Sequence, residues 1–384
     1  MKPIPYGKHH ISEEDIQRVI EVLRSDYITQ GPAIQAFETA FAEYTGARHA
    51  VAVSNGTAAL HLSCLALGVK SSDRFISSPI SFVASSNCVL YCGGKVDFVD
   101  IDPETFLIDI DQIEKKIRSN PPGTFTGIIP VDFAGLPVNL EKIKTLALEH
   151  DLKIIEDACH APGGYFTDSG NTKQFCGNGQ FADLTAFSFH PVKHIATGEG
   201  GMITTNDSDL YEKLLNLRTH GITKNPDLLG DNPGGWYYEM ISLGYNYRLT
   251  DIQAALGISQ LQRAPQGFKR RAEIAARYRE AFQNTPLKIQ AVGSGIEHAY
   301  HLFVIRVDNR KGLYDFLKSN NIFPQVHYIP IHQQPYYRTK GWKSGDFPNA
   351  EKYYEQCLSI PLYPGLQDDE QEFVMEKILE FLNE

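Results

Sequence analysis

From Ala50 to Asp157 the chain repeats one phrase: a short apolar run, a few small turn residues, and then a stretch with helical spacing. Ala50-Val51-Ala52-Val53 is closed by Ser54-Asn55-Gly56 and followed by a helix from Thr57 to Leu67. A strand near Phe75-Ile76 precedes a helix after Ser81, and Lys95-Val96-Asp97-Phe98-Val99 is the next strand. Strand Gly127-Ile128-Ile129-Pro130-Val131 runs through Gly135-Leu136-Pro137 into a helix from Leu140 to Glu149, after which Leu152 to Asp157 forms another strand. Strands that alternate with helices in this way predict an α/β fold with a mainly parallel sheet covered on both faces. Open sheets of that kind gather ligands beyond the carboxyl ends of their strands. Asn55, Asp132 and Asp157 fall at such ends.

A chain of 384 residues exceeds one ordinary core, so a large domain with a smaller one is expected. Ahead of the alternating region, Ser12 and Asp15 begin a helix with Ile16, Val19, Ile20 and Leu23 on one face, and a second helix carries Phe37, Phe41 and Tyr44. Beyond Leu249, a helix from Asp251 to Gln262 reaches Pro265 and a long charged helix follows through Tyr278 and Phe282. The boundary is placed near Ala264: residues 1–263 form the large cofactor-binding domain with an N-terminal arm, and residues 264–384 a small C-terminal α+β domain. The latter is expected to hold a strand from His301 to Val307, a helix from Lys311 to Ser319, a short strand around Gln325-Val326-His327 and a closing helix from Asp369 to Leu382. The loop from Thr223 to Gly235, rich in Asn, Asp, Pro and Gly, is the segment expected to move.

Composition narrows the function classes. The chain is 42% hydrophobic and 21% charged with no apolar run long enough to span a bilayer, and its first residues lack a secretory pattern, so a cytoplasmic protein without a membrane partner is expected. A formal net charge of −10 and the lack of a dense Lys/Arg tract oppose binding to nucleic acid. Six scattered cysteines with no C-x-x-C pair give neither a disulfide framework nor a zinc cluster, and no metal is expected. An anionic ligand would need backbone amides and a few placed side chains.

One segment offers reactive chemistry. In Thr185-Ala186-Phe187-Ser188-Phe189-His190-Pro191-Val192-Lys193-His194 a single lysine follows a strand among apolar and aromatic residues. Loss of water there favours the free amine, which is the form that attacks an aldehyde. Taken alone, Lys193 also reads as an ordinary loop lysine. Asp157, at a strand end before Ala158-Cys159-His160, suits either a helix cap or a carboxylate that keeps a pyridinium nitrogen protonated. His160 suits either the phenolic oxygen of such a ring or a structural hydrogen bond. Ser54-Asn55-Gly56-Thr57-Ala58-Ala59-Leu60 is a strand, turn and helix start able to cradle a phosphate, and Ser188 adds a hydroxyl. Neither a G-x-G-x-x-G turn after the first strand nor a G-x-x-x-x-G-K-[ST] loop is present, which disfavours nicotinamide and ATP chemistry.

The ordered set SNGTAAL, PISFVASSN, EDACHA, SFHPVK with GEGG, and GYNYRLTDIQAALG resembles the DegT-type sugar aminotransferases across nearly the whole chain. The resemblance implies the aspartate aminotransferase-like fold and a pyridoxal 5'-phosphate cofactor. It implies that Lys193 carries the cofactor and shuttles the proton, that Asp157 pairs with the pyridine nitrogen, and that His160 lies near the phenolic oxygen. Gly56, Thr57, Ala58 and Ser188 would hold the phosphate, Phe82 would stack on the ring, and Asn246 would reach the phosphate from a neighbouring subunit of a homodimer. Tyr6, the loop Asp26, Tyr27, Ile28 and Thr29, and the run Gln325, Val326, His327 and Tyr328 match family positions that line the sugar-nucleotide cleft.

Within the family, SFHPVKHIATGEGG and WYYEMISLGYNYRLTDIQ look most like the branch that aminates C4 of a UDP-4-keto-6-deoxy-N-acetylhexosamine on the route to pseudaminic acid, with L-glutamate as donor. Other nucleotide-linked keto sugars (3- or 4-keto, UDP or dTDP) and a non-catalytic sensor of the same fold are the alternatives. A dehydratase relative carries histidine where the transaminases have the lysine; here Lys193 is present, which favours transamination. His190 and Arg248 receive no chemical step.

Overall fold

The computed structural model describes residues 2–383. Its centre is a seven-stranded sheet in the spatial order His49–Val53, Gly201–Thr205, Leu184–Ser188, Lys153–Asp157, Gly127–Ile129, Arg74–Ser77, Lys95–Phe98. Gly201–Thr205 runs antiparallel to both neighbours, whereas the remaining pairs are parallel. Six strands therefore point the same way, and their carboxyl ends share one edge. Both faces of the sheet are covered, which is why its strands read as continuous apolar runs; Val51, Val53, Ile128, Ile129, Ile154 and Ile155 are all fully buried.

Local chemistry fixes the elements around that edge. Asn55 accepts a hydrogen bond from Ala58 N at 2.8 Å and caps the helix Gly56–Ala66, which lies buried along most of its length. Ser12 and Asp15 form a reciprocal capping box on the helix Glu13–Leu23. The helix Pro32–Thr45 presses Phe37 and Phe41 onto Phe189 and Phe187 beneath the lysine-bearing loop.

The two helices expected on either side of Pro265 are one continuous helix, Asp251–Phe282. Burial of Leu261 and Ala264 before the proline, and of Arg271, Ile274 and Tyr278 after it, offsets the hydrogen bond that a proline cannot donate. The proposed domain boundary near Ala264 thus lies inside a helix that both halves share. The C-terminal part carries an antiparallel sheet of Lys288–Ile289, Phe303–Arg306 and Cys357–Ile360, backed by the helices Arg310–Ser319 and Asp368–Asn383. No strand forms at Gln325-Val326-His327; Gln325 makes only an isolated bridge to Ser359. A three-stranded ribbon of Tyr165–Thr167, Lys173–Phe175 and Ile296–Glu297 was not foreseen. The N-terminal arm pairs Ile4–Pro5 with Ile322–Phe323, so it is tied to the C-terminal part. The segment expected to move holds a short 3₁₀ turn, Pro226–Leu228, next to the strand pair Ile222–Thr223 and Glu239–Met240.

Phe37 is fully buried against Phe41, Phe189 and the bare backbone of Gly257. Phe37→Ala should cost about 3–5 kcal/mol, seen as a lower urea midpoint with an unchanged slope; an unshifted midpoint would show that this layer does not anchor the fold.

Candidate active site

At the common edge lies a cavity of about 890 Å³. Each wall comes from a different strand end. Asn55, Gly56, Thr57 and Ala58 follow the strand His49–Val53, Asp157 and His160 follow Lys153–Asp157, and Ser188 to Lys193 follow Leu184–Ser188.

Lys193 is half-buried and lines the cavity. Loss of water holds its amine down at about 8, partly opposed by Cys159 and Asp157, which favour the ammonium, while the Arg271 charge pushes further downward. Its Nζ lies 3.5 Å from His301 Nε2. Because the folded-state value lies below that of the unfolded chain, the contribution of Lys193 to stability is fully present above pH ~10.4 and is lost as pH falls through about 8.

Asp157 is buried, and its carboxylate is held from two sides. Ser85 Oγ donates to Oδ2 at 2.5 Å, with Ser81 Oγ 2.6 Å from Ser85 Oγ, and Cys159 N donates to Oδ1 at 3.2 Å. Two donors fix the carboxyl group at the cavity wall. His160 Nδ1 accepts from Ala134 N at 3.3 Å, so the neutral ring carries its proton on Nε2, which faces Tyr328 Oη at 3.3 Å. Burial, with the Lys193 charge next, holds His160 well below the usual histidine range.

At the helix start, Asn55 occupies the amide of Ala58, leaving those of Gly56 and Thr57 without a helical partner on the cavity wall. A methyl group at Gly56 would stand 2.9 Å from Ser188 Cβ, so the close approach of Ser188 to this turn requires glycine. The result is a compact anion cradle beside a buried amine and a buried carboxylate.

The other expected residues divide. Phe82, Tyr6, His327 and Tyr328 line the same cavity, Phe82 with its ring largely exposed. Asp26, Tyr27, Ile28 and Thr29 are exposed and, like Gln325 and Val326, stand outside its wall. Asn246 is exposed, bridged to Thr219, and outside this chain's cavity. Several residues that line the cavity were missed: Ser81, Ser85, His61, Tyr91, Glu199, Tyr247 and His301. The serines four apart in PISFVASSN were a readable signal for two hydroxyls on one helical face. His301, 108 positions from Lys193, offered none.

Pyridoxal phosphate makes three demands, and this arrangement meets each: an amine for its carbonyl carbon, an anion for its ring nitrogen, and free amides with hydroxyls for its phosphate. Fold and site together define a pyridoxal-phosphate-dependent aminotransferase. Comparison with known proteins places it further. The model of the DegT/DnrJ/EryC1/StrS aminotransferase family matches residues 9–379, and the chain belongs to that family. It is 41% identical to the spore coat polysaccharide biosynthesis protein SpsC of Bacillus subtilis over 98% of this chain and 96% of that one. Among solved structures it is similar to PseC of Helicobacter pylori, an aminotransferase involved in the biosynthesis of pseudoaminic acid (TM-score 0.89, 31% identity, 100% of both chains). It is likewise similar to the putative sugar aminotransferase Spr1654 of Streptococcus pneumoniae in its PMP form (TM-score 0.91, 28% identity, 99% of both chains). The chain is a sugar aminotransferase that uses pyridoxal phosphate, and among the described residues no helix is long and apolar enough to cross a membrane.

The amine makes a direct prediction. In cofactor-free protein, the rate at which Lys193 reacts with trinitrobenzenesulfonate should rise with a midpoint near pH 8, identified by its loss in Lys193→Met. A midpoint at ~10.4, the value of a lysine in water, would contradict the desolvated site.

Proposed function

We propose that the protein transfers an amino group from L-glutamate to C4 of UDP-2-acetamido-2,6-dideoxy-β-L-arabino-hex-4-ulose, a UDP-4-keto-6-deoxy-N-acetylhexosamine, and so serves pseudaminic acid and surface-glycan synthesis in the cytoplasm. The observation that carries the transaminase reading is Lys193, an amine kept partly neutral by burial on the wall of a cavity that also holds Asp157. Support for the particular sugar comes from the end-to-end likeness to the Helicobacter enzyme. SpsC, at higher identity, favours a second reading in which another nucleotide-linked keto sugar is the acceptor.

When bound, the cofactor supplies an aldehyde carbon and a ring that takes up the electron pair left by proton removal. In this reading the chain's own residues do the rest. Lys193, as the free amine, takes the proton from the amino-bearing carbon of glutamate, and in the return half it gives a proton to C4 of the sugar. Asp157, held by Ser85 and the Cys159 amide, would keep the ring nitrogen protonated. Neutral His160, with its proton on Nε2, would serve the phenolic oxygen without adding charge. Gly56, Thr57, Ala58 and Ser188 would hold the phosphate, and Phe82 would cover the ring. Glutamate leaves as 2-oxoglutarate and the sugar as a 4-amino sugar, so the amino group and the carbonyl oxygen simply exchange carriers. Tyr6, His327 and Tyr328 line the wall where the sugar would enter, with Asp26 to Thr29 and Gln325-Val326 beyond it.

A homodimer with a shared site belongs to the same proposal. Asn246 is exposed within a segment whose Trp236, Met240, Ile241 and Leu243 are also exposed, which suits a partner's cavity as its destination.

Lys193→Ala should reduce amination of the UDP keto sugar by orders of magnitude while leaving the far-ultraviolet spectrum intact; full turnover would remove the lysine from the reaction. Offered a panel of UDP- and dTDP-linked 3- and 4-keto sugars, the pyridoxamine-loaded protein should turn over the UDP-4-keto hexosamine fastest, and a preference for a dTDP sugar would select the second reading. For the shared site, Asn246→Ala and Lys193→Ala subunits, each impaired alone, should regain partial activity on mixing and subunit exchange. Absence of any rescue would mean that each chain completes its own site.

A further inference from the structure

On the other side of the Lys193 loop lies a second cavity, of about 370 Å³, between the N-terminal arm and the long helix. Lys193 borders both spaces. Among the described residues no aspartate or glutamate lines the second one, although the chain as a whole carries a formal charge of −10. Its wall instead presents Lys8, His10, Arg263, Arg270 and Arg271.

Two of these cations are already answered. Arg263 pairs with the buried Asp15, and Arg270 with Asp368 at 2.6 Å. Arg271 is not. It is 2% exposed, yet among the described residues no carboxylate pairs with it. Its Nη1 donates to the carbonyls of Tyr300 (3.0 Å), Leu362 (3.1 Å) and His301 (3.4 Å), while its Nε is buried without a partner. A guanidinium held by neutral carbonyls alone is a buried charge without a counter-charge, a costly arrangement unless an anion completes it. Lys8, exposed at the mouth and in no ion pair among the described residues, is a second free cation.

We propose that this cavity is a binding site for a small oxyanion, phosphate or dicarboxylate in class, with Arg271 as its buried anchor and Lys8 and Arg270 at its mouth. Burial holds the guanidinium down only to about 10, so it stays charged at neutral pH. The occupant would bring negative charge behind Lys193, opposite to the space that takes cofactor and sugar, and would offset the push that Arg271 exerts on that amine. The site stands apart from the choice of sugar substrate.

The test is calorimetric titration of inorganic phosphate into the pyridoxal-phosphate-loaded protein, whose own phosphate cradle is then filled, with glutarate as the second probe. The expected result is one saturable site per chain that is weakened roughly tenfold or more in Arg271→Met and measurably in Lys8→Ala. Lys8 is exposed, so its variant reads the site even where Arg271→Met fails to fold. Binding of phosphate or of glutarate supports the site where Lys8→Ala weakens it, since glutarate can also take the glutamate position of the first cavity; the tighter of the ligands weakened in this way is the oxyanion the site prefers. Lack of binding by both probes up to about 10 mM, or binding untouched by Lys8→Ala and by a folded Arg271→Met, would overturn the site and leave Arg271 as a staple for three carbonyls.

Discussion

Everything in this molecule turns on keeping one amine out of water. Lys193 sits in the loop after a parallel strand, whose Phe189 packs on Phe37 and Phe41, and His301 lies beside its amine; burial in this setting strips away solvent. A lysine in bulk water would be almost wholly an ammonium at neutral pH and a poor nucleophile; held at about 8, it keeps a usable fraction as the free amine. The surrounding histidines contribute by staying neutral: His160, His194 and His301 are all pushed well below their ordinary range by burial, so none of them adds a charge beside the amine.

The sheet explains why the carboxylate arrives at the same place. Successive residues of a strand face opposite sides, so Asp157 turns to the cavity while Glu156 turns into the protein. There Glu156 accepts from Thr185 Oγ at 2.7 Å and Gly177 N at 3.0 Å, close to Asp132 and Cys176. Burial and the neighbouring Glu156 push Asp132 well above the carboxylate range, so the pair keeps a proton between two acids that could not both ionise. Asp132 Oδ1 meanwhile accepts from Val138 N at 2.8 Å and steadies the turn whose Ala134 amide sets the tautomer of His160. One strand thus supplies one acid to the site and another, sharing a proton with Asp132, to its support.

Much of the fold was legible because parallel strands buried on both faces leave an unmistakable apolar signature, as at Ile154-Ile155 and Val51-Ala52-Val53, and because Asn55 and Ser12 announce helix starts. Lys193, Asp157 and the Gly56 turn could be placed on one edge for the same reason. What escaped depended on distance in sequence. Ser85 and His301 approach Asp157 and Lys193 only through tertiary packing, and the unpaired charge of Arg271 emerges only once its three carbonyl partners are in place. Pro265 misled in the opposite direction, because local propensity predicts a break where burial on both sides sustains the helix. The apparent strand at Gln325-Val326-His327 failed for want of a neighbour: beyond the single bridge to Ser359, no strand continues the pairing.

The proposed reaction requires the cofactor to attach to Lys193. Reconstitution with pyridoxal phosphate, reduction with borohydride and peptide mapping by mass spectrometry test it without any assumption about the sugar. One phosphopyridoxyl group per chain is expected, on the peptide containing Lys193. Labelling of a different lysine as the principal site, or none at saturating cofactor, would contradict it.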